Sequence, residues 1–486
     1  WAKGGIVVDG NDTDLADSDV NVTVSGNTII GAGENAASAQ NGIQISRGAT
    51  GTITENTISN IGFTPTTYSA AGILIYKSDG VTVSENELNS TETGVYVQDQ
   101  NTSGGTTGNV VSLNPIVGSK YGVYVLRSSK TEISGNTIVG STYFGVRVGS
   151  GSADTTIANN TITNSVYDGI HIESSSAAIT DVVITGNTIT NNNTAEDSTS
   201  AGIFVGQSGS GSVDVSNFAV HFNRIIGNKG YGLLNAVGSG TLDATNNWWG
   251  CNAGPGSSEC DNVSENVDYD PWLILKITSE KQIVEPNETI QIDANLIYNS
   301  DEESTLSEGY VPDGIEAEFS VQSPGVVNPV SPTTFQGQVS TTFTSTGGGV
   351  DNVCVKVDNE TKCTEDIVVP AAAAVDDVYR MMFNSTLDVA IAEGVTKNDT
   401  GITEGFDYTV SLVSGPTHGQ LELKANGSFK YIPEANFVGE DSFDYQLVIY
   451  PSGPTTESEN PNSWTDTATV TISVEAYQIF IPLVLK

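Results

Sequence analysis

Apolar and polar residues alternate through the first half of the chain in short bursts, many opened by a glycine, as in Gly42-Ile43-Gln44-Ile45 and Gly122-Val123-Tyr124-Val125. A second phrase ends on asparagine before a small or apolar pair, as in Gly135-Asn136-Thr137-Ile138 and Gly186-Asn187-Thr188-Ile189. Alternation with period two predicts half-buried strands, and no stretch sustains the period of a helix. The asparagines fall at Asn27, Asn56, Asn86, Asn114, Asn136, Asn160, Asn187, Asn223 and Asn247, between 22 and 36 residues apart. The shortest spacing suits one turn of a three-sided coil of short strands, and the longer ones add a loop. A repeat this small cannot bury its own apolar face, so the pattern predicts parallel strands stacked turn upon turn. The recurrent amide predicts either a ladder of stacked side chains or a position that tolerates left-handed backbone. Both readings make these asparagines scaffold.

These phrases resemble the right-handed parallel β-helix repeat over about residues 5–250. That fold serves pectate lyases, polygalacturonases, phage tailspikes and many bacterial surface proteins, so the resemblance implies a fold and leaves the activity open. The coil ends at Asn246-Asn247-Trp248-Trp249-Gly250-Cys251, and the stretch from Asn247 to Trp272 is similar to the end-piece of bacterial β-helix surface proteins. It is expected to cover the open strand edges, with a tryptophan sugar site as the alternative.

Beyond residue 272 the strands are short, alternating and separated by turn residues, which predicts β-sandwiches. Over 273–370, Val311-Pro312-Asp313-Gly314, Glu316–Ser320 and Thr342–Gly347 resemble an invasin-type immunoglobulin-like domain. After a Pro370–Ala374 linker, Gly427–Pro433 and Phe437–Tyr445 resemble the cadherin-like tandem domains of bacterial surface proteins, placing a second sandwich at 371–476. The fold class expected is all-β: a β-helix over 1–272, two C-terminal β-sandwiches and an apolar tail at 477–486. The cadherin-like resemblance implies that acidic residues at the domain base can bind calcium, which makes Asp376, Asp377, Asn398, Asp399 and Asp441 candidate ligands, with a plain solvated acidic end as the alternative. Gly401 stands where such loops often carry another aspartate. The tail residues Ile479, Phe480, Ile481, Leu483, Val484 and Leu485 admit three readings: a last strand of their own domain, an anchoring signal, or a strand donated to a neighbouring subunit.

Charge narrows the partners. With 18 basic and 58 acidic residues the net charge is −40, which repels nucleic acid and anionic membranes. No apolar run is long enough to span a bilayer. Cys251/Cys260 and Cys354/Cys363 form two local pairs, expected as disulfides from an oxidising compartment. The start at Trp1 rather than methionine suggests a removed leader, and sequons such as Asn21, Asn101, Asn287, Asn359 and Asn426 are compatible with glycosylation. The acidic run from Asp9 to Asp19 lacks EF-hand spacing and is read as a solvated loop rather than a calcium site.

Alternation also assigns an outward column: Gln44, Leu74, Tyr96, Tyr124, Arg147, His171, Phe204 and Leu234, flanked by Tyr76, Gln98, Leu126 and Glu173. It is expected as an exposed stripe that stacks sugars, forms a protein interface or lies under a loop. An active site would fall where the stripe becomes ionic, at Arg147, Asp168, His171 and Glu173, with His171 as base or the two carboxylates as a hydrolytic pair. The paired Asp and His-Gly phrases of polygalacturonases are absent from the coil. The expected function is therefore a non-enzymatic, secreted structural or adhesive protein that polymerises with itself or joins other cell-envelope components. A polysaccharide-binding or polysaccharide-degrading coil is the alternative.

Overall fold

A computed structural model describes residues 4–10, 20–64, 69–100, 107–284, 287–321, 325–346, 348–369, 372–402, 406–452 and 463–476. Three parallel sheets of nine, ten and eight strands wind through the first half, each turn adding a strand to each sheet. Gly-apolar-x-apolar phrases make the first sheet, in which Val95 lies between Ile73 and Val123 in register. Inward Ile and Val residues from all three sheets merge into one core running from Val24 to Val267.

The asparagines form a ladder at the bend between the second and third sheets. Asn56 N and Nδ2 both donate to Asn86 Oδ1, at 3.1 and 2.9 Å. The same double bond recurs from Asn27 to Asn247. Each buried amide nitrogen also reaches a carbonyl one turn back, as Asn86 Nδ2 reaches Ile53 O at 2.9 Å. The left-handed residue is the one before the asparagine: Glu55, Glu85, Leu113, Asn159 and Phe222 all have φ near +57°. The amide is thus selected for its ladder, and the turn costs fall on its neighbour, which is glycine at Gly26, Gly135 and Gly186. A shorter ladder of Asn192, Asn228 and Asp261 runs along a neighbouring corner.

At the end of the coil Trp249 joins the coil core, whereas Trp248 turns the other way and packs with Phe222 into the core of the next domain. That domain has antiparallel sheets of four, three and two strands. Its hairpin Val353–Val357/Glu360–Cys363 presents the turn Asp358-Asn359 to the coil. Asp358 accepts from Trp248 Nε1 at 2.7 Å and holds the Arg224 guanidinium with both oxygens. Asn359 N and Nδ2 donate to Gly250 O and Glu259 O. Both disulfides form, Cys251–Cys260 inside the coil loop and Cys354–Cys363 across the hairpin, so each side of this contact is cross-linked.

The last sandwich packs a four-stranded against a three-stranded sheet over a core containing Tyr431, Phe443, Tyr445 and Ile472. Its first strand, Asp377–Met382, lies parallel to its last, Trp464–Glu475, while the other pairs are antiparallel. Among the described residues there is no α-helix, and no helix is long and apolar enough to cross a membrane. The tail Ile479–Leu485 and most of the Asp9–Asp19 run lie outside the described residues.

Candidate functional site

Register brings the outward column together as one row: Gln44, Leu74, Tyr96, Tyr124, Arg147, His171, Phe204 and Leu234 face one another strand by strand. The row differs from the expected exposed stripe. Tyr96 and Tyr124 are only 6% and 8% exposed, and the others in the row are buried or half-buried. The reason is spacing: parallel strands stand about 4.8 Å apart, close to the centroid separation of two stacked rings. Tyr96 and Tyr124 stack at 4.7 Å, so each covers one face of the other. Tyr121 and Phe144, from the strand starts, close over the flank with Leu74, Leu126 and Tyr167. Tyr76 is half-buried at the edge, with Lys77 over its ring. Tyr121 and Phe144 went unrecognised in the sequence, although an aromatic residue directly before the repeat glycine marks both.

Three of the four ionic residues converge, and Arg147 lies beside His171 in register without bonding to any of them. Asp168 Oδ1 accepts from Ala201 N at 2.6 Å, and its Oδ2 lies 2.7 Å from His171 Nδ1. Glu173 Oε2 lies 3.4 Å from His171 Nε2. Burial holds the Asp168 carboxyl above its ordinary range, while the hydrogen bond from His171 holds Glu173 below its own. The imidazole is also clamped by its faces, against Phe144 at 3.8 Å and Phe204 at 4.8 Å. Arg147 lies back over Tyr124 and Tyr121, at 4.7 and 5.4 Å from the ring centroids, and reaches the Tyr121 hydroxyl. Burial pushes the hydroxyls of Tyr121 and Tyr124 up. With both nitrogens engaged and both faces covered, His171 takes a proton from a sugar only after a partner has been displaced. The cluster is built as a polar plug in an aromatic column.

The acidic residues of the last sandwich divide. Asp376, Asp377, Asn398 and Asp399 meet at one end: Asp376 accepts from Thr469 N, Asp399 from Val375 N and the Tyr445 hydroxyl, and Asn398 donates to Val375 O and Asp376 O. Asp377 Oδ2 and Asp399 Oδ2 are buried without a partner. Asp441, expected beside them, lies elsewhere. It accepts from Thr417 N, His418 N and the Tyr431 hydroxyl, which fill its oxygens and brace a turn. Among the described residues, no three His, Cys, Asp or Glu side chains converge to hold a metal ion.

Burial, then repulsion from Asp399 and Asp376, pushes the Asp377 carboxyl from 3.8 up to about 7. The folded domain keeps a proton there that the unfolded chain has released. This contribution is complete below about pH 4, falls as pH rises to about 7 and is flat above. Asp377→Asn is expected to raise the melting temperature of the last sandwich at pH 8 and leave it nearly unchanged at pH 4. Calorimetry of the full chain at both values checks this, and an equal shift at both would overturn it.

The model of the right-handed β-helix region matches residues 1–115 and 71–249, and the chain belongs to that family. Residues 368–473, which resemble cadherin-like repeats, match the model of a bacterial Ig domain. No curated protein sequence matches the chain. Among solved structures it is similar to the periplasmic alginate epimerase AlgG (16% identity, 44% of this chain and 45% of that one, TM-score 0.31). It is similar to a C-terminal fragment of intimin in complex with the intimin-binding domain of its translocated receptor (13% identity, 41% and 63%, TM-score 0.22). It is also similar to the tailspike of E. coli bacteriophage HK620 in complex with a pentasaccharide (12% identity, 72% and 73%, TM-score 0.32). The chain thus spans less than two thirds of the epimerase and of the intimin fragment.

Proposed function

We propose that this is an extracellular structural or adhesive protein that assembles with copies of itself, the C-terminal segment Ile479–Leu485 adding as a strand to a neighbouring subunit. The observation that carries the reading is the pair of apolar edges in the last sandwich. The edge strand Phe406–Ser414 exposes Leu412 and Val413, and the opposite edge, Asp377–Met382, exposes Val378 and Met382. Edge strands that stay monomeric are blunted by charge, proline, bulges or cover; here the blunting is slight, one exposed Arg380 on the Asp377–Met382 edge and a register shift at Leu412/Ser414 on the other, beside aliphatic side chains on a domain followed by an aliphatic tail. The two disulfides support an oxidising compartment.

Electron microscopy of the full chain against a version ending before Tyr477 tests the proposal. Regular polymers that disappear on truncation, and on Leu412→Lys with Val413→Lys, are the expected result. Dispersed rods in every sample would overturn it. Calcium belongs to the same proposal at Asp377 and Asp399, whose partnerless oxygens are a partial ligand set. Calcium should raise the melting temperature of the last sandwich in the parent and not in Asp377→Asn.

A glycan-cleaving coil is the second reading, favoured by the meeting of Asp168, His171 and Glu173, with Arg147 on the adjacent turn. The clamped state of His171 weighs against it. Loss of polysaccharide cleavage in His171→Ala, with the fold retained, would favour it over assembly.

A further inference from the structure

The outer face of the four-stranded sheet at 273–370 holds a groove of about 490 Å³, lined by Gln291, Asp293, Asn295, Gln338, Ser340 and Phe335. Strand alternation builds it. Ile290, Ile292, Ala294 and Leu296 turn into the core, which leaves Gln291, Asp293 and Asn295 pointing outward. Register then sets Asn295 opposite Gln338 and Asp293 opposite Ser340. The result is a grid of amides, a hydroxyl and a carboxylate. Gln291 Nε2 donates to Asp293 Oδ1 at 2.6 Å, which fixes that carboxylate in place.

One aromatic ring stands beside the grid. Phe335 and Gln338 exchange backbone hydrogen bonds of 2.8 and 3.0 Å across a two-residue turn. Gln336 and Gly337 in that turn have φ of 50° and 70°, the geometry of a tight hairpin. Gln336 N is further tied to Asp313 Oδ1 at 2.6 Å. The hairpin is therefore tied down, yet it holds Phe335 with 67% of the residue exposed. No core contact explains such a ring. Asn295 Oδ1 adds a second anomaly: it is buried and has no partner, so turning the amide toward a ligand hydroxyl would recover a hydrogen bond.

A fixed ring next to preset donors and acceptors suits a ligand with a C–H face and a hydroxyl-bearing edge. We propose that this groove binds a neutral saccharide, one sugar ring lying on Phe335 with its hydroxyls bonded to Asp293, Asn295 and Gln338. Asp293 and the net charge of −40 repel uronates, sulfated sugars and phosphates. The polar floor disfavours an acyl chain or an apolar peptide. The site lies off the coil, and its occupancy does not depend on assembly.

The test is calorimetric titration of the full chain with neutral pentasaccharides built on glucose, mannose, galactose and N-acetylglucosamine, with pentagalacturonate as the acidic probe. At least one neutral probe should bind, and Phe335→Ala should weaken it about tenfold or more at an unchanged melting temperature. Asp293→Ala should do the same. Absence of binding by every neutral probe would overturn the proposal. So would equal binding of pentagalacturonate, or binding that survives Phe335→Ala and is lost in Arg147→Ala, which would place the sugar on the coil.

Discussion

Asn136→Ala is expected to destabilise the coil by about 3–5 kcal/mol, as is alanine at any other fully buried asparagine of the ladder. The Asn136 amide accepts from Asn114 N and Nδ2 at 3.0 and 2.9 Å, and it donates to Val111 O at 2.8 Å and to Asn160 Oδ1 at 2.9 Å. All of these partners are buried in a corner that excludes water, so alanine leaves donors and acceptors on two adjacent turns unsatisfied. Each orphaned group costs roughly 1–3 kcal/mol, more than the net worth of the bond it made. Asn27, at the first position of the ladder and only part-buried, is the internal control: Asn27→Ala should cost less than about 1 kcal/mol. Urea unfolding followed by circular dichroism separates the two. Similar midpoints for both variants would mean that the ladder is decorative.

The second large effect is expected at the junction. Asp358→Ala should cost roughly 3–5 kcal/mol, because it leaves a desolvated guanidinium and an indole N–H without their shared acceptor. The Asp358 side chain is 6% exposed and that of Arg224 23%, so water replaces the lost carboxylate poorly. Removing Arg224 as well should restore part of the loss, since the uncompensated charge goes with it. A double-mutant cycle on the thermal transition therefore reads the pair, and additive effects would show that the two side chains are energetically separate. Trp248 makes the consequence larger. Its ring lies in the sandwich core while its backbone completes the coil, so coil and sandwich should unfold in one calorimetric step and the last domain in another.

The coil was legible because its period is written in side chains: a glycine phrase sets the strand, an asparagine sets the bend, and their stacking follows. The outward column from Gln44 to Leu234 was read residue by residue. Exposure was the part that alternation could not supply, since it gives the direction of a side chain and not what lies over it. Tyr96 is covered by Tyr124, a residue on the next turn, and Phe144 covers His171 from a strand start that period two does not assign. Asp441 is grouped with Asp377 only by the cadherin-like resemblance, which carries no distances, and hydrogen bonds from the Thr417-His418 backbone claim it first. The Arg224–Asp358 pair spans 134 residues, and nothing local to either residue announces the other.

The parallel pairing of Asp377–Met382 with Trp464–Glu475 has a mechanical consequence. The chain enters the last domain at the start of one of these strands and leaves at the end of the other, six paired positions further along. Tension on the polypeptide pulls the two strands past each other, so their bonds are loaded together and must rupture together. In the coil the bonds between turns run along the axis, and the same tension opens them one turn at a time. Under load, the sandwich next to the tail would act as the shear-resistant clasp, and the coil as the element that yields.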